Sequence, residues 1–149
     1  RFLARQRGGL TTLYLPIALS LSQDDQEALL AFVQGGGKLI VEGCTGMYGA
    51  NGGMDLAFSF LRELFGMDHV TLEATQEDFS RAVGGAIAFQ SAWYRQLYQS
   101  CAADVEVTAH FTDGTPAMLT RKVGKGTVVW LGGSSGRHMK EQRMKRRDA

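Results

Sequence analysis

The stretch Leu10–Gly46 most constrains what this chain can become: LTTLYLP, ALSLSQDDQEALLAFVQ, GGG, then KLIVEGCTG. It reads as strand, capped helix, glycine turn, buried strand and a sharp glycine-bounded loop. That order is a βαβ unit. Pro16 bars the first strand from continuing in a paired ladder. Ser22 is suited to N-cap a helix, and Asp24, Asp25 and Glu27 favour its positive end. Leu29, Leu30, Phe32 and Val33 recur at helical spacing, and one of Gly35, Gly36 and Gly37 is expected in the left-handed conformation that closes a helix. Lys38–Val41 begins an apolar run of the kind found in central strands covered on both faces. The loop after that strand is where an α/β sheet places ligands or nucleophiles, and it holds Cys44.

Downstream, Met54–Phe65 reads as a second helix stopped by Gly66, and Asp68–Thr75 as a strand. Glu77–Val83 is read as a short helix followed by a Gly84-Gly85 turn, and Ser91–Ser100 as helix or irregular loop. Val105–Phe111 and Ala117–Val123 alternate about the Asp113-Gly114 turn signal, and Thr127–Leu131 is a β-branched strand. These last strands read as a hairpin or meander appended to the α/β part. Arg1–Gly9 resembles the end of a helix, and Arg1 looks like a cut point in a longer chain.

The 149 residues suit one domain. The formal charge of +1 hides an asymmetry: the tail Arg137–Ala149 carries six basic residues against Glu141 and Asp148, a net +4, which leaves about −3 for residues 1–136. The body is therefore not a nucleic-acid surface by charge, and the tail reads as a solvated face. Two cysteines, Cys44 and Cys101, form no disulfide framework, which points to a reducing, cytoplasmic setting. No apolar run reaches the roughly 20 residues of a membrane span.

The ordered set "YLP", "ALSLSQDDQEALLAFVQGGGKLIVEGCTGMYG", "LRELFGM" and "DGTPAMLTRKVGKGTVVWLG" resembles the trimerisation domain of bacterial β-galactosidases of glycoside hydrolase family 42 and related large glycoside hydrolases. The resemblance covers most of Leu10–Gly133. It implies a flavodoxin-like three-layer sandwich with a mainly parallel sheet, of the class I glutamine-amidotransferase-like superfamily, with a C-terminal β-hairpin extension. Residues 1–136 would form the domain and 137–149 a basic tail. It further implies a non-catalytic scaffold that associates subunits, a trimer being suspected, beside a catalytic barrel that carries the hydrolytic carboxylates. Two alternatives stand beside it: a small amidotransferase-like enzyme or ligand-binding domain using Cys44, and a sugar-binding module.

Cys44 in "VEGCTGMYG" resembles the nucleophile turn of true amidotransferases. A working thiol also needs a base and an orienting carboxylate. The superfamily's His-x-Glu has only an imperfect counterpart in His138 and Glu141, while His69 and His110 lie in expected strands. A catalytic role for Cys44 is thus outweighed by retention as scaffold. The loop glycines match neither the P-loop nor the dinucleotide fingerprint, and no cofactor is expected. No ligand spacing suggests a metal. Glu63, Glu73, Glu77 and Asp78 read as solvated rather than as a glycosidase pair. Tyr48, Trp93, Tyr94 and Tyr98 are candidates for a subunit contact or for stacking on a sugar, with core packing as the plainer reading.

Overall fold

The computed structural model describes residues 9–49, 51–55, 58–74 and 91–135, apart from the side chains of 92 and 93. Strand β1 (Thr12–Leu15) leads into helix α1 (Gln23–Gln34) and strand β2 (Lys38–Glu42). Helix α2 (Ser59–Phe65) and strands β3 (Thr71–Ala74), β4 (Ala92–Leu97), β5 (Glu106–His110), β6 (Pro116–Val123), β7 (Gly126–Leu131) and β8 (Gly133–Ser134) follow. The readings on Arg1–Gly8, Glu77–Val83 and Gly84-Gly85, and on the tail from Gly136, lie outside the described residues.

α1 begins where its sequence says it should. The Ser22 hydroxyl accepts from the Asp25 amide at 3.1 Å, while the Asp25 carboxylate accepts from the Ser22 amide at 3.2 Å. This reciprocal pair satisfies two donors left orphaned at any helix start. At the other end Gly36 takes φ +115, the left-handed turn expected of the glycine run. Leu29 and Val33 then face the sheet and join a core with Leu39, Val41, Leu119, Val128 and Trp130. Burying each such side chain stabilises the fold by about 1.5–3 kcal/mol.

The main sheet has the order β1-β2-β7-β6-β5. β1, β2 and β7 run parallel, whereas β7, β6 and β5 pair antiparallel. The architecture is therefore mixed α/β, and the expected mainly parallel sheet is half antiparallel. The hairpin is not an appendage either. β7 lies in the middle of the sheet, because its apolar VVWL run is covered best between β2 and β6.

Two further expectations are corrected. Helix α2 starts at Ser59 rather than Met54, because Phe58 sits at φ +47 and the Asp55 carboxylate accepts from the Ser59 amide at 2.9 Å. Its residues Phe60, Leu61, Leu64 and Phe65 fill the same core as α1. Ser91–Ser100, read as helix or loop, contains β4, the centre of a second antiparallel sheet ordered β3-β4-β8. Partners distant in sequence fix this strand: the Gln96 amide donates to the Gly132 carbonyl at 2.7 Å, and Gln96 Oε1 accepts from Trp130 Nε1 at 3.0 Å.

Arg95 on β4 ties the two sheets together. Its guanidinium pairs with Glu73 and Asp113 and lies 5.7 Å over the Phe111 ring. Glu73 is thus ion-paired rather than merely solvated. Contacts from Thr115 and from Arg95 hold the Asp113 carboxyl down at about 2. Its contribution is present above the usual carboxylate pKa near 3.9 and is lost as pH falls through about 2. Asp113 is largely exposed, so that contribution is at most about 1 kcal/mol. The gap in Tm between the parent chain and Asp113→Asn should therefore narrow between about pH 4 and pH 2. A constant gap across acid unfolding curves would rule this out.

Candidate functional site

The carboxyl end of β2 gathers the polar groups of interest. Glu42 closes the apolar Leu39–Val41 run of β2 and is fully buried. Its Oε1 accepts from the Ser135 amide at 2.8 Å, from Ser135 Oγ at 2.6 Å and from the Tyr14 hydroxyl. Its second oxygen has no partner among the described residues. Burial and the Glu42 carboxylate push the Tyr14 phenol up to about 12, so it stays a donor at neutral pH.

One residue later the chain turns hard. The Gly43 amide donates to the Leu131 carbonyl at 2.8 Å, and Cys44 follows at φ +65. The Thr45 hydroxyl then donates to the Glu42 carbonyl at 2.6 Å, and the Met47 amide to the Cys44 carbonyl at 3.1 Å. A left-handed conformation at a residue with a Cβ costs about 1–2 kcal/mol. This is the geometry of a nucleophile turn. Its chemistry is different. Cys44 is buried, and burial raises its thiol above the usual range, only partly offset by the Tyr94 hydroxyl beside it. That hydroxyl also donates to the Gly43 carbonyl at 2.9 Å, and burial followed by Cys44 pushes the phenol upward in turn.

No described histidine supports the thiol. His69, at φ +48 just before β3 rather than within a strand, faces solvent beside Asp68; His110 ends β5 and is exposed. His138 lies outside the described residues. A protonated thiol without an imidazole is a poor nucleophile.

The structure thus brings Cys44 and Tyr94 together and disperses the other candidates. Tyr48 is half-buried in the glycine loop, its amide donating to the Leu19 carbonyl at 2.8 Å. Tyr98 packs edge-on against Trp130, ring centroids 5.8 Å apart, as core packing would have it. Trp93 lies in β4, its side chain outside the described set. Sequence reasoning missed Tyr14, Glu42 and Ser135. The available signal was a glutamate closing the KLIV run, since a carboxylate there is tolerated inside a fold only with partners. Among the described residues no three His, Cys, Asp or Glu side chains converge as a metal site would require.

Residues 9–147 match the family model of the β-galactosidase trimerisation domain. The chain belongs to that family. Among solved structures the trimerisation domain is similar to a GH42 β-galactosidase from G. stearothermophilus (21% identity, TM-score 0.73, covering 93% of this chain and 22% of that one). It is also similar to the β-galactosidase of Bacillus circulans sp. alkalophilus (19%, TM-score 0.72, 84% and 20%). A third is the polyextremophilic β-galactosidase of the Antarctic haloarchaeon Halorubrum lacusprofundi (20%, TM-score 0.73, 87% and 20%). No curated protein matches the sequence. The trimerisation domain spans about a fifth of the length of these enzymes.

The trimerisation domain should therefore show an inert Cys44. Iodoacetamide near pH 7 is expected to modify half-exposed Cys101 first and to reach Cys44 only on unfolding, as peptide mass mapping would record. Rapid native labelling of Cys44 would contradict this account of the turn.

Proposed function

We propose that this domain holds subunits together within a larger glycoside hydrolase, and that the parent protein cleaves β-galactosides with carboxylates located elsewhere in its chain. The observation that carries this reading is the family match over residues 9–147, joined to a cysteine turn that lacks a described base. The finer expectation of a flavodoxin-like three-layer sandwich belongs to the same proposal. One helix-covered face and a parallel β1-β2-β7 core support it. No helix among the described residues is long and apolar enough to cross a membrane, and a cytoplasmic setting is part of the reading.

Light scattering on the intact protein tests the association: a mass of three subunits is expected, and a concentration-independent monomer would sink it. Release of nitrophenol from a nitrophenyl β-galactoside tests the parent activity. The positive φ at Cys44 favours one second reading, an amidotransferase-like enzyme. It predicts glutaminase activity that vanishes in Cys44→Ser; absence of that activity in the parent chain discards it.

A further inference from the structure

Asn51 is the only asparagine among the 149 residues, and Gly52 follows it. The pair lies in the loop that joins Tyr48 to Met54, which themselves meet in an isolated antiparallel bridge. Two backbone bonds close this loop. The Gly49 amide donates to the Gly53 carbonyl at 2.9 Å, and the Gly52 amide to the Gly49 carbonyl at 2.9 Å. Asn51, Gly52 and Gly53 are exposed. Gly52 takes φ +75, which glycine reaches without steric cost, and nothing lies within 4 Å of a methyl group built on it.

The Asn51 side chain folds back on the chain that follows it. Its Oδ1 accepts from the Gly53 amide at 3.0 Å. A methyl group on Gly53 would lie 3.2 Å from that oxygen and 3.7 Å from Cγ, so the bare glycine is what lets the side chain come this close. The same hydrogen bond is placed to stabilise the negative charge that grows on Oδ1 when a nucleophile adds to Cγ. The Gly52 backbone nitrogen, with no side chain to crowd it, is one peptide unit away. It must first leave the Gly49 carbonyl, a local opening that costs little in an exposed loop.

We propose that Asn51-Gly52 is a self-modification site, converting in the folded protein to isoaspartate and aspartate through a cyclic imide. The Gly52 nitrogen gives its proton to solvent base and bonds to Asn51 Cγ. The Cγ–Nδ2 bond then breaks, and the side-chain nitrogen leaves as ammonia with a proton from water. Water next opens the imide. Attack at Cγ leaves aspartate; attack at the Asn51 main-chain carbonyl leaves isoaspartate, with the chain rerouted through Cβ. The sum is asparagine and water giving acid and ammonia, with no change of oxidation state. Each event adds a negative charge to the loop, and the isoaspartyl form lengthens the backbone between Gly49 and Gly53, so their bond cannot keep its geometry.

Asp113-Gly114 has a similar turn and is held unreactive. Gly114 takes φ +86, and its amide donates to the Phe111 carbonyl at 2.9 Å. Asp113 Oδ1, however, accepts from the Thr115 amide at 3.0 Å and the Thr115 hydroxyl at 2.7 Å, and Oδ2 pairs with Arg95. Those donors favour the ionised carboxylate, whereas ring closure there needs the neutral acid with water as its leaving group.

The test ages the intact protein at neutral pH beside a synthetic peptide of residues 47–55, then digests the protein in acid, which halts ring closure, and maps both by mass. Position 51 should gain the mass of an amide-to-acid change at a rate within about tenfold of the free peptide. An isoaspartyl-directed methyltransferase with labelled S-adenosylmethionine should mark that peptide and leave the one holding Asp113 unmarked. Aspartate without isoaspartate would mean direct hydrolysis, and a rate more than about tenfold below the free peptide would mean that the fold protects the loop. Either result overturns the proposal, as does equal marking of the Asp113 peptide. Gly52→Ala, with folding confirmed by circular dichroism, should slow the conversion at least about fivefold by crowding the attacking nitrogen. An unchanged rate in that variant overturns the ring-closure route.

Discussion

Gly126→Ala is expected to prevent stable folding of the domain or to lower its Tm by about 10 °C or more. A methyl group at Gly126 would lie 2.1 Å from the Val33 carbonyl oxygen and 2.2 Å from that of Gly37. Both are backbone atoms and cannot swing aside. The Gly37 carbonyl and that of Gln34, next to Val33, mark where β7 docks: the Thr127 amide donates to the Gly37 carbonyl at 3.1 Å, and the Lys125 amide to the Gln34 carbonyl at 3.1 Å. Relieving the clash means pulling β7 away from the end of α1 and breaking those bonds. We expect a loss of at least about 3 kcal/mol, against a net stability for a domain this size of only about 5–15 kcal/mol. One kcal/mol corresponds to roughly 2–4 °C here. Gly114→Ala is the control: nothing lies within 4 Å of its added methyl, and only its φ of +86 is disturbed, a cost of about 1 kcal/mol. Thermal melts of the two variants decide it, and equal losses would show that backbone crowding at β7 is not what matters.

Trp130→Ala should be nearly as damaging. Trp130 is fully buried, touches Tyr98 edge-on and donates its indole N–H to Gln96 Oε1. Truncation leaves a cavity at the centre of the core, at about 3–5 kcal/mol. It also strips Gln96, whose Nε2 already lacks a described partner, of a hydrogen bond inside the fold. Trp130→Phe separates the two effects. It keeps most of the volume and loses the N–H, so its cost should be about 1–3 kcal/mol. Near-UV circular dichroism and denaturant titration would measure both. A Phe variant as unstable as the Ala variant would mean that the bond to Gln96, rather than packing, joins β4 to the main sheet.

What the sequence makes legible is local. The α1 cap is written in Ser22 and Asp25, its end in Gly36, and β2 in an apolar run, because each depends on residues a few positions apart. The position of β7 between β2 and β6 is a long-range choice that no short pattern records. β4 hides for the same reason. SAWYRQLYQS has no clean alternation, and Gln96 is buried only because Trp130, 34 residues on, offers a partner. The apolar pattern from Met54 overstates the length of helix α2, because it carries no sign of the left-handed backbone at Phe58. In the candidate site, Cys44 and its turn are visible as a glycine-flanked cysteine. Its surroundings are not, since Tyr14, Glu42, Tyr94 and Ser135 come from four strands or strand ends. Whether the thiol can act depends on those neighbours.

The central place of β7 also has a consequence in time. As the chain leaves the ribosome, β1, α1 and β2 emerge early, yet β2 meets its inner neighbour only after residues 126–131 have appeared. For some 90 residues of synthesis the inner edge of β2 would stand unpaired, its backbone donors and acceptors open to any passing strand. Nascent chains stalled before Gly126 should therefore bind holdase chaperones, and those released past Leu131 should not. The sheet is closed from its middle, and the last strand to enter its interior determines when the nascent domain becomes safe from aggregation.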